Sequence, residues 1–345
     1  MKDGISIVDK EKTSYHQQTI DLLTKVPKVR NASFDIMKGI AMLAVIIGHI
    51  TTQCHGFIYS FHMPLFFIVS GYFFRLGNQR ESMKKDVKHL LYPYLLTCAA
   101  ILMVYTLRSI FVQKDCISSW ILAAFYGSAT LSHVSYYCAK IPRIGAIWFL
   151  LALFWCKNLF LLIVKHTRYP FLISLLVSVV SALINRYIIN APFTILIGFS
   201  ATIFYYLGYW VRKQGGFDRL NILLAVGCIM VWLFAMLTSD MSIANALYKN
   251  YPVNVIGALG GTYVIYLIST LLSTTKWIVS RSFEWFGRNS LTILCLHLFE
   301  MDVPFFRTFF HVSGSWTMVF AIMFCVVGVL VLKRIPFARR IYNIS

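Results

Sequence analysis

Ionisable side chains set among apolar ones are the first candidates for chemistry. Such a group costs about 3 kcal/mol or more inside a bilayer, and it is tolerated mainly where it faces a bundle interior. The densest cluster is Asp35, Lys38 and His49, in the stretch Asp35-Ile-Met-Lys38-Gly-Ile-Ala-Met-Leu-Ala-Val-Ile-Ile-Gly48-His49. An imidazole exchanges protons near neutral pH, and an ammonium places a compact positive charge. On a helix, Lys38 and His49 are about 20° apart in azimuth and about 16 Å apart in rise, so both stand on one face. Asp35 falls about 40° from His49 on that face. Its three-residue spacing to Lys38 permits an ion pair. The expectation is a cation near a cytoplasmic mouth and an imidazole near mid-membrane. Two readings stand side by side: chemistry at His49, or interfacial anchors with His49 bonded to a neighbouring helix.

A second cluster runs Phe61-His62-Met63-Pro64-Leu65-Phe66-Phe67-Ile68-Val69-Ser70-Gly71-Tyr72-Phe73-Phe74-Arg75. His62 precedes a proline suited to a helix's first turn. Ser70 and Gly71 allow another backbone to approach closely. Arg75 opens a basic segment with Arg80, Lys84, Lys85 and Lys88. That segment is either a topology signal against lipid headgroups or a grip on the phosphates of a nucleotide-bearing donor. His297 and Glu300, three apart, are either working groups or a helix–helix hydrogen bond. Lys157 and Arg108 lie within apolar runs, where they snorkel or pair.

The elements that position these groups follow from composition. Of 345 residues, 58% are hydrophobic and 13% charged, against about 25% charged in an ordinary soluble domain. This excludes a water-soluble enzyme, a disordered chain, a coiled coil and a disulfide scaffold. What remains is an all-α polytopic membrane protein of about ten transmembrane helices in one bundle. The runs lie near 36–54, 57–74, 90–112, 144–164, 170–186, 191–211, 220–238, 253–273, 289–303 and 316–332. Residues 1–30 read as a polar cytoplasmic tail without a cleavable leader, 31–332 as the membrane domain and 333–345 as a basic cytoplasmic tail. With both termini inside, 23 of the 32 Lys and Arg residues fall in inner segments, six outside and three within spans. That bias fits the positive-inside rule. It also accounts for the net charge of +19, so no nucleic-acid partner is expected. Eight cysteines show no metal-ligand spacing, and no metal is expected. Cys116 and Cys138 share one outer segment, as two free thiols or as a pair.

Asp35-x-x-Lys38-Gly39-Ile40, Gly48-His49, Phe61-His62-Met63-Pro64-Leu65-Phe66-Phe67 and Ser70-Gly71-Tyr72 together resemble the acyltransferase 3 family of integral membrane acyltransferases, in its fucose 4-O-acetylase-like branch. The family's first-span motif is a basic residue, ten residues, then His, which Lys38 and His49 match. Ile147-Trp148-Phe149-Leu150 and Gly287-Arg288-Asn289-Ser290-Leu291, leading to His297, are further echoes. Many members carry Arg where this chain has Lys38, and Lys lacks the bidentate fork.

The resemblance implies transfer of an acyl group, usually acetyl, from cytoplasmic acyl-CoA to a hydroxyl of a glycan or lipid-linked sugar in the cell envelope. His49 would be the general base, alternatively a covalent acyl carrier, with His62 assisting. Asp35, Lys38, Ser70, Arg75, Trp148, Asn289 and His297 would bind substrate or donor. The donor would be acetyl-CoA, with no permanently bound cofactor, and the place a cell inner (plasma) membrane. Some members carry an extracytoplasmic hydrolase-like domain, which is not expected here. A membrane transporter or flippase of a glycan or lipid-linked substrate is the alternative class, and a non-enzymatic scaffold a third.

Overall fold

In lipid a backbone must satisfy its own N–H and C=O groups, so long apolar runs fold as helices. The computed structural model describes residues 31–51, 55–112, 117–130, 132–133, 140–217, 221–275, 277–302, 316–342 and 344. Two units divide the chain, Met1–Ala32 and Ser33–Ser345, and the helices below belong to the second save for Ala32 itself. Cys116 and Cys138 lie outside the described residues.

The helices that matter for the site are α1 (Ala32–Ile50), α2 (His55–Tyr59), α3 (His62–Tyr72), α4 (Gln79–Asp86), α5 (Tyr92–Val112), α6 (Ile117–Tyr126), α7 (Trp148–His166), α8 (Pro170–Tyr187), α9 (Ile195–Ser200), α10 (Thr202–Lys213), α11 (Ile222–Thr238), α12 (Tyr251–Thr275), α13 (Ile278–Arg288), α14 (Ser290–Asp302), α15 (Trp316–Arg334) and α16 (Pro336–Ile341). Two short antiparallel strand pairs, Ser132–His133 with Lys140–Ile141 and Met241–Ser242 with Leu247–Tyr248, lie in the connections. The broadest helix contacts are α3 with α10, α11 with α12, and α9 with both α7 and α8.

All ten expected runs are helical, but they are not ten full spans. Among the described residues, six helices are long and apolar enough to cross a membrane, or seven if the pair Pro192–Ser200 plus Thr202–Lys213, bent by 47°, counts as one span. The runs at 57–74, 220–238 and 289–303 yield the shorter helices α3, α11 and α14. Hydropathy counts apolar residues and does not see the break at Ser60–Phe61 that shortens the first of them. Helix α1 also starts and stops four residues before the expected 36–54. Ser33, Phe34 and Asp35 form its first turn, where an acidic residue suits the helix dipole.

Close helix crossings need glycine at two places. A Cβ on Gly39 would lie 1.9 Å from the Phe283 carbonyl oxygen, and one on Gly287 would lie 1.7 Å from the Asp35 carbonyl oxygen. Helices α1 and α13 therefore meet backbone to backbone. Helices α3 and α10 do the same: Cβ atoms on Gly71 and Gly208 would lie 1.9 and 1.8 Å from the carbonyl oxygens of Tyr205 and Ile68. This is the close approach that Ser70-Gly71 suggested.

The bend between α9 and α10 frees a carbonyl inside the bundle. The Ser178 hydroxyl donates to the Ser200 carbonyl, and the Tyr251 hydroxyl donates to Ser178 Oγ over 2.6 Å. Lys157 on α7 pairs with the buried Asp86 at the end of α4. Of the two fates expected for Lys157, it pairs. The segment 333–345 is basic yet not simply solvated. Helix α16 turns the chain back, Tyr342 is buried with its hydroxyl 3.1 Å from Thr97 Oγ1, and Ile344 is buried too.

Two outcomes follow. Gly39→Ala has no room without moving backbone, so it should lower the thermal midpoint of the detergent-solubilised protein by the equivalent of about 1–3 kcal/mol. Gly227→Ala, where nothing lies within 4 Å, should leave the midpoint unchanged. Lys157→Met should cost about 3 kcal/mol by stranding the Asp86 carboxylate. Adding Asp86→Leu should recover most of that loss, which a double-mutant cycle of thermal melts would read.

Candidate active site

The crossing of α1 and α13 sets two levels in the molecule. At the crossing itself, Asp35 is buried, with Lys38 Nζ 2.8 Å from Oδ1 and Arg288 Nε 3.8 Å from Oδ2. Arg288 also pairs with Glu284, one turn back on α13. Asn289 follows, buried, its Nδ2 donating to the Trp285 carbonyl over 2.9 Å. Phe34 extends this level. Its ring centroid is 4.8 Å from both Tyr72 and Phe73 and 5.3 Å from Tyr266. Arg212 Nη1 donates to the Tyr72 carbonyl over 3.2 Å and so caps α3. Arg75 follows α3 at the same end and is exposed. This is the basic end of the body.

Ten residues along the chain from each glycine stands a histidine. Gly39 leads to His49 in the last turn of α1, and Gly287 leads to His297 on α14. Along α1 ten helical residues rise about 15 Å; the path from Gly287 crosses the break at Asn289, and the two imidazoles nevertheless meet. Their ring centroids are 5.5 Å apart, at 42° between planes. His297 Nδ1 is 3.5 Å from Glu300 Oε2, and both side chains are completely buried. His49, by contrast, is exposed. It therefore lies at the far end of α1 from Asp35, not near its middle, because α1 ends four residues earlier than its apolar run suggested.

The charges that reach His49 are those of His297, His62, Arg143 and His55. His55 and Arg143 had no role in the sequence reading. The Nε2–H of His55 donates to the Gly48 carbonyl over 2.7 Å, closing the end of α1. Its ring leans on Tyr59, which in turn meets His62 edge-on at 5.1 Å. His62 is buried, and its Nδ1 lies 2.6 Å from the Ile58 carbonyl. A carbonyl only accepts, so that nitrogen carries the proton. His62 thus anchors α3 to α2 while it faces His49.

The remaining expected residues are spread. Ser70 is half-buried beside the Gly71 crossing. Trp148 is buried at the start of α7 next to Phe149, whose ring meets Phe66 and Phe67 of α3 at 5.5 and 5.1 Å. The structure therefore divides the predicted set. Asp35, Lys38, Arg75 and Asn289 stand at the basic end. His49, His62 and His297 gather about 15 Å away. Arg288 is the functional-looking residue that sequence reading passed over, although it stood inside the quoted Gly287-Arg288-Asn289 motif. Among the described residues, no group of three His, Cys, Asp or Glu side chains is placed to hold a metal ion.

An accessible imidazole beside a buried His–Glu pair, joined by one helix to a cationic end, has the groups that proton transfer and anion binding require. The acyltransferase 3 domain description, "Acyltransferase domain", matches residues 31–334. The chain belongs to the acyltransferase 3 family. The family resemblance carried by Asp35 to Tyr72 thus holds over the whole membrane body, and the chain is a multi-pass membrane member of that family. Over 105 residues it is 35% identical to the nodulation protein NolL of Mesorhizobium japonicum, a match covering 25% of this chain and 27% of that protein. The matched part is thus little more than a quarter of the relative's length. No solved structure matches this acyltransferase.

Exposure separates the three central imidazoles of this acyltransferase. When membranes are treated with diethyl pyrocarbonate, His49 should be carbethoxylated well before His62 and His297. Peptide mass spectrometry over a time course reads the order.

Proposed function

We propose that this acyltransferase is an O-acetyltransferase of a cell inner membrane. It takes acetyl from acetyl-CoA on the cytoplasmic side and passes it to a hydroxyl of a glycan or lipid-linked sugar, modifying envelope polysaccharide. The single observation that carries the reading is the exposed His49 on the same helix as Lys38, about 16 Å along its rise. The cations of the basic end, Lys38, Arg288 and Arg75, suit the phosphates of coenzyme A. Positive-inside bias supports a cytoplasmic position for that end. The long pantetheine arm would then run beside α1 and bring the thioester to His49.

A sugar hydroxyl is a weak nucleophile and needs a base positioned near neutral pH. In the step proposed, His49 takes the hydroxyl proton as the oxygen bonds the acetyl carbonyl carbon. The tetrahedral adduct collapses, the C–S bond breaks, and His49 returns the proton to the departing thiolate. The products are the acetyl ester and free coenzyme A, with no net proton change. His62 assists as a neighbour that shapes the base's surroundings.

The test uses membranes containing the full chain and acetyl-CoA labelled in the acetyl group. Wild type should move label into a glycan or lipid-linked fraction. His49→Ala should insert normally and lose about 10²-fold or more of that transfer. Undiminished transfer by His49→Ala would overturn the assignment of the base. Movement of a glycan or lipid-linked substrate across the membrane without thioester consumption would point to transport instead.

A further inference from the structure

We infer that His297, held by Glu300, is the positioning residue that decides which nitrogen of His49 is free to accept a proton. The inference rests on His49 acting as base in the proposed acetyl transfer. Three other imidazoles, His55, His62 and His297, lie within electrostatic reach of His49. Two of them have a ring proton already committed: His55 Nε2–H to the Gly48 carbonyl and His62 Nδ1–H to the Ile58 carbonyl. In His297, neither ring nitrogen has a hydrogen-bond partner among the described residues, and the side chain is wholly buried. A buried polar group without a bond costs about 1–3 kcal/mol. Such a group is retained where another group completes it during function.

The distances fit. Ring nitrogens lie just over an ångström from their centroid. A 5.5 Å centroid separation allows the nitrogens to come within roughly 3 Å, a hydrogen-bond length, once the rings turn to face each other; in the structure as it stands that bond is not made. Catalytic hydrogen bonds of this kind are often loose before substrate binds. The proton order then follows from one end. The Glu300 carboxylate only accepts, so His297 Nδ1, 3.5 Å away, carries the proton toward it. His297 Nε2 is left with a lone pair and accepts the N–H of His49. The other nitrogen of His49 is left unprotonated on the accessible side, where the acceptor hydroxyl comes. When His49 takes the hydroxyl proton, its positive charge is balanced through His297 by the carboxylate, and no proton leaves the row. Glu300, His297 and His49 thus work in series, the first two acting only through the third.

The experiment uses purified full-length protein and compares wild type, His297→Gln, Glu300→Gln and His49→Ala for kcat and for KM of acetyl-CoA. Glu300→Gln keeps the side chain's shape, so it guards against a change of packing. Both outer variants should lose about 10²-fold in kcat, as general acid–base defects do, with KM for acetyl-CoA and thermal midpoint unchanged. Adding His297→Gln to His49→Ala should cost nothing further. Wild-type kcat in both His297→Gln and Glu300→Gln, with His49→Ala dead, would overturn the inference and leave the O-acetyltransfer reading standing. Loss in His297→Gln alone, accompanied by a lowered midpoint, would assign His297 to packing and overturn it too. An active His49→Ala, or a wild type without acetyl transfer, would remove the base itself and this inference with it.

Discussion

The backbone contact between α1 and α13 is the constraint from which the site follows. Two glycines let Asp35's carbonyl and Phe283's carbonyl come within distances that any side chain would forbid. Once that contact is made, the register of the two chains is fixed, because neither helix can slide without driving a neighbouring side chain into it. His49 and His297 each stand ten residues beyond their glycine, the second past the break at Asn289, and the two rings come to 5.5 Å. At the opposite end Asp35 holds Lys38 and Arg288 together.

That inner cluster solves an electrostatic problem as well as a geometric one. A buried carboxylate alone would be expensive, and two cations on it offset the loss of water. The same logic appears at Asp86 and Lys157, which join α4 to α7. Charged side chains in this body do not scatter through the apolar interior. The described ones sit in compact pairs: Lys38 and Arg288 on Asp35 where α1 begins and α13 ends, and Lys157 from the middle of α7 on Asp86 at the end of α4. The exception is the row around His49. There the neighbours that reach it are bases, and the acid lies behind His297.

Much of this was legible in the residues. The Lys38–His49 spacing placed both on one helix, the Asp35–Lys38 pair followed from a three-residue interval, and Ser70-Gly71 announced a close approach. The partner in that approach, Gly208, was not legible, because contact between α3 and α10 depends on chain topology and not on local pattern. His55 was hidden for a similar reason. It lies between two apolar runs, and its hydrogen bond to Gly48 exists only once the chain turns back. Asp86 had no part in the sequence reading, yet it is the one acid of its helix that turns inward. Span length was overcounted because a run of apolar residues does not reveal where a helix breaks, as the turn at Ser60–Phe61 inside the run 57–74 shows.

Burial of His297 and Glu300 poses a question of cost. An ion pair or hydrogen-bonded acid–base pair deep in a bundle is often no more stabilising than well-packed apolar residues of the same volume. Cys295, Leu294 and Leu298, its neighbours on α14, meet the packing demand without any polar atom. Stability alone therefore gives no reason for a histidine and a glutamate at these two positions. Their presence makes sense if the energy lost to desolvation is recovered as orientation. A carboxylate held out of water keeps its full electrostatic pull on the imidazole beside it, and a low dielectric carries that pull onward to the next ring. The same burial that makes the pair costly is what lets it act on His49 at a distance.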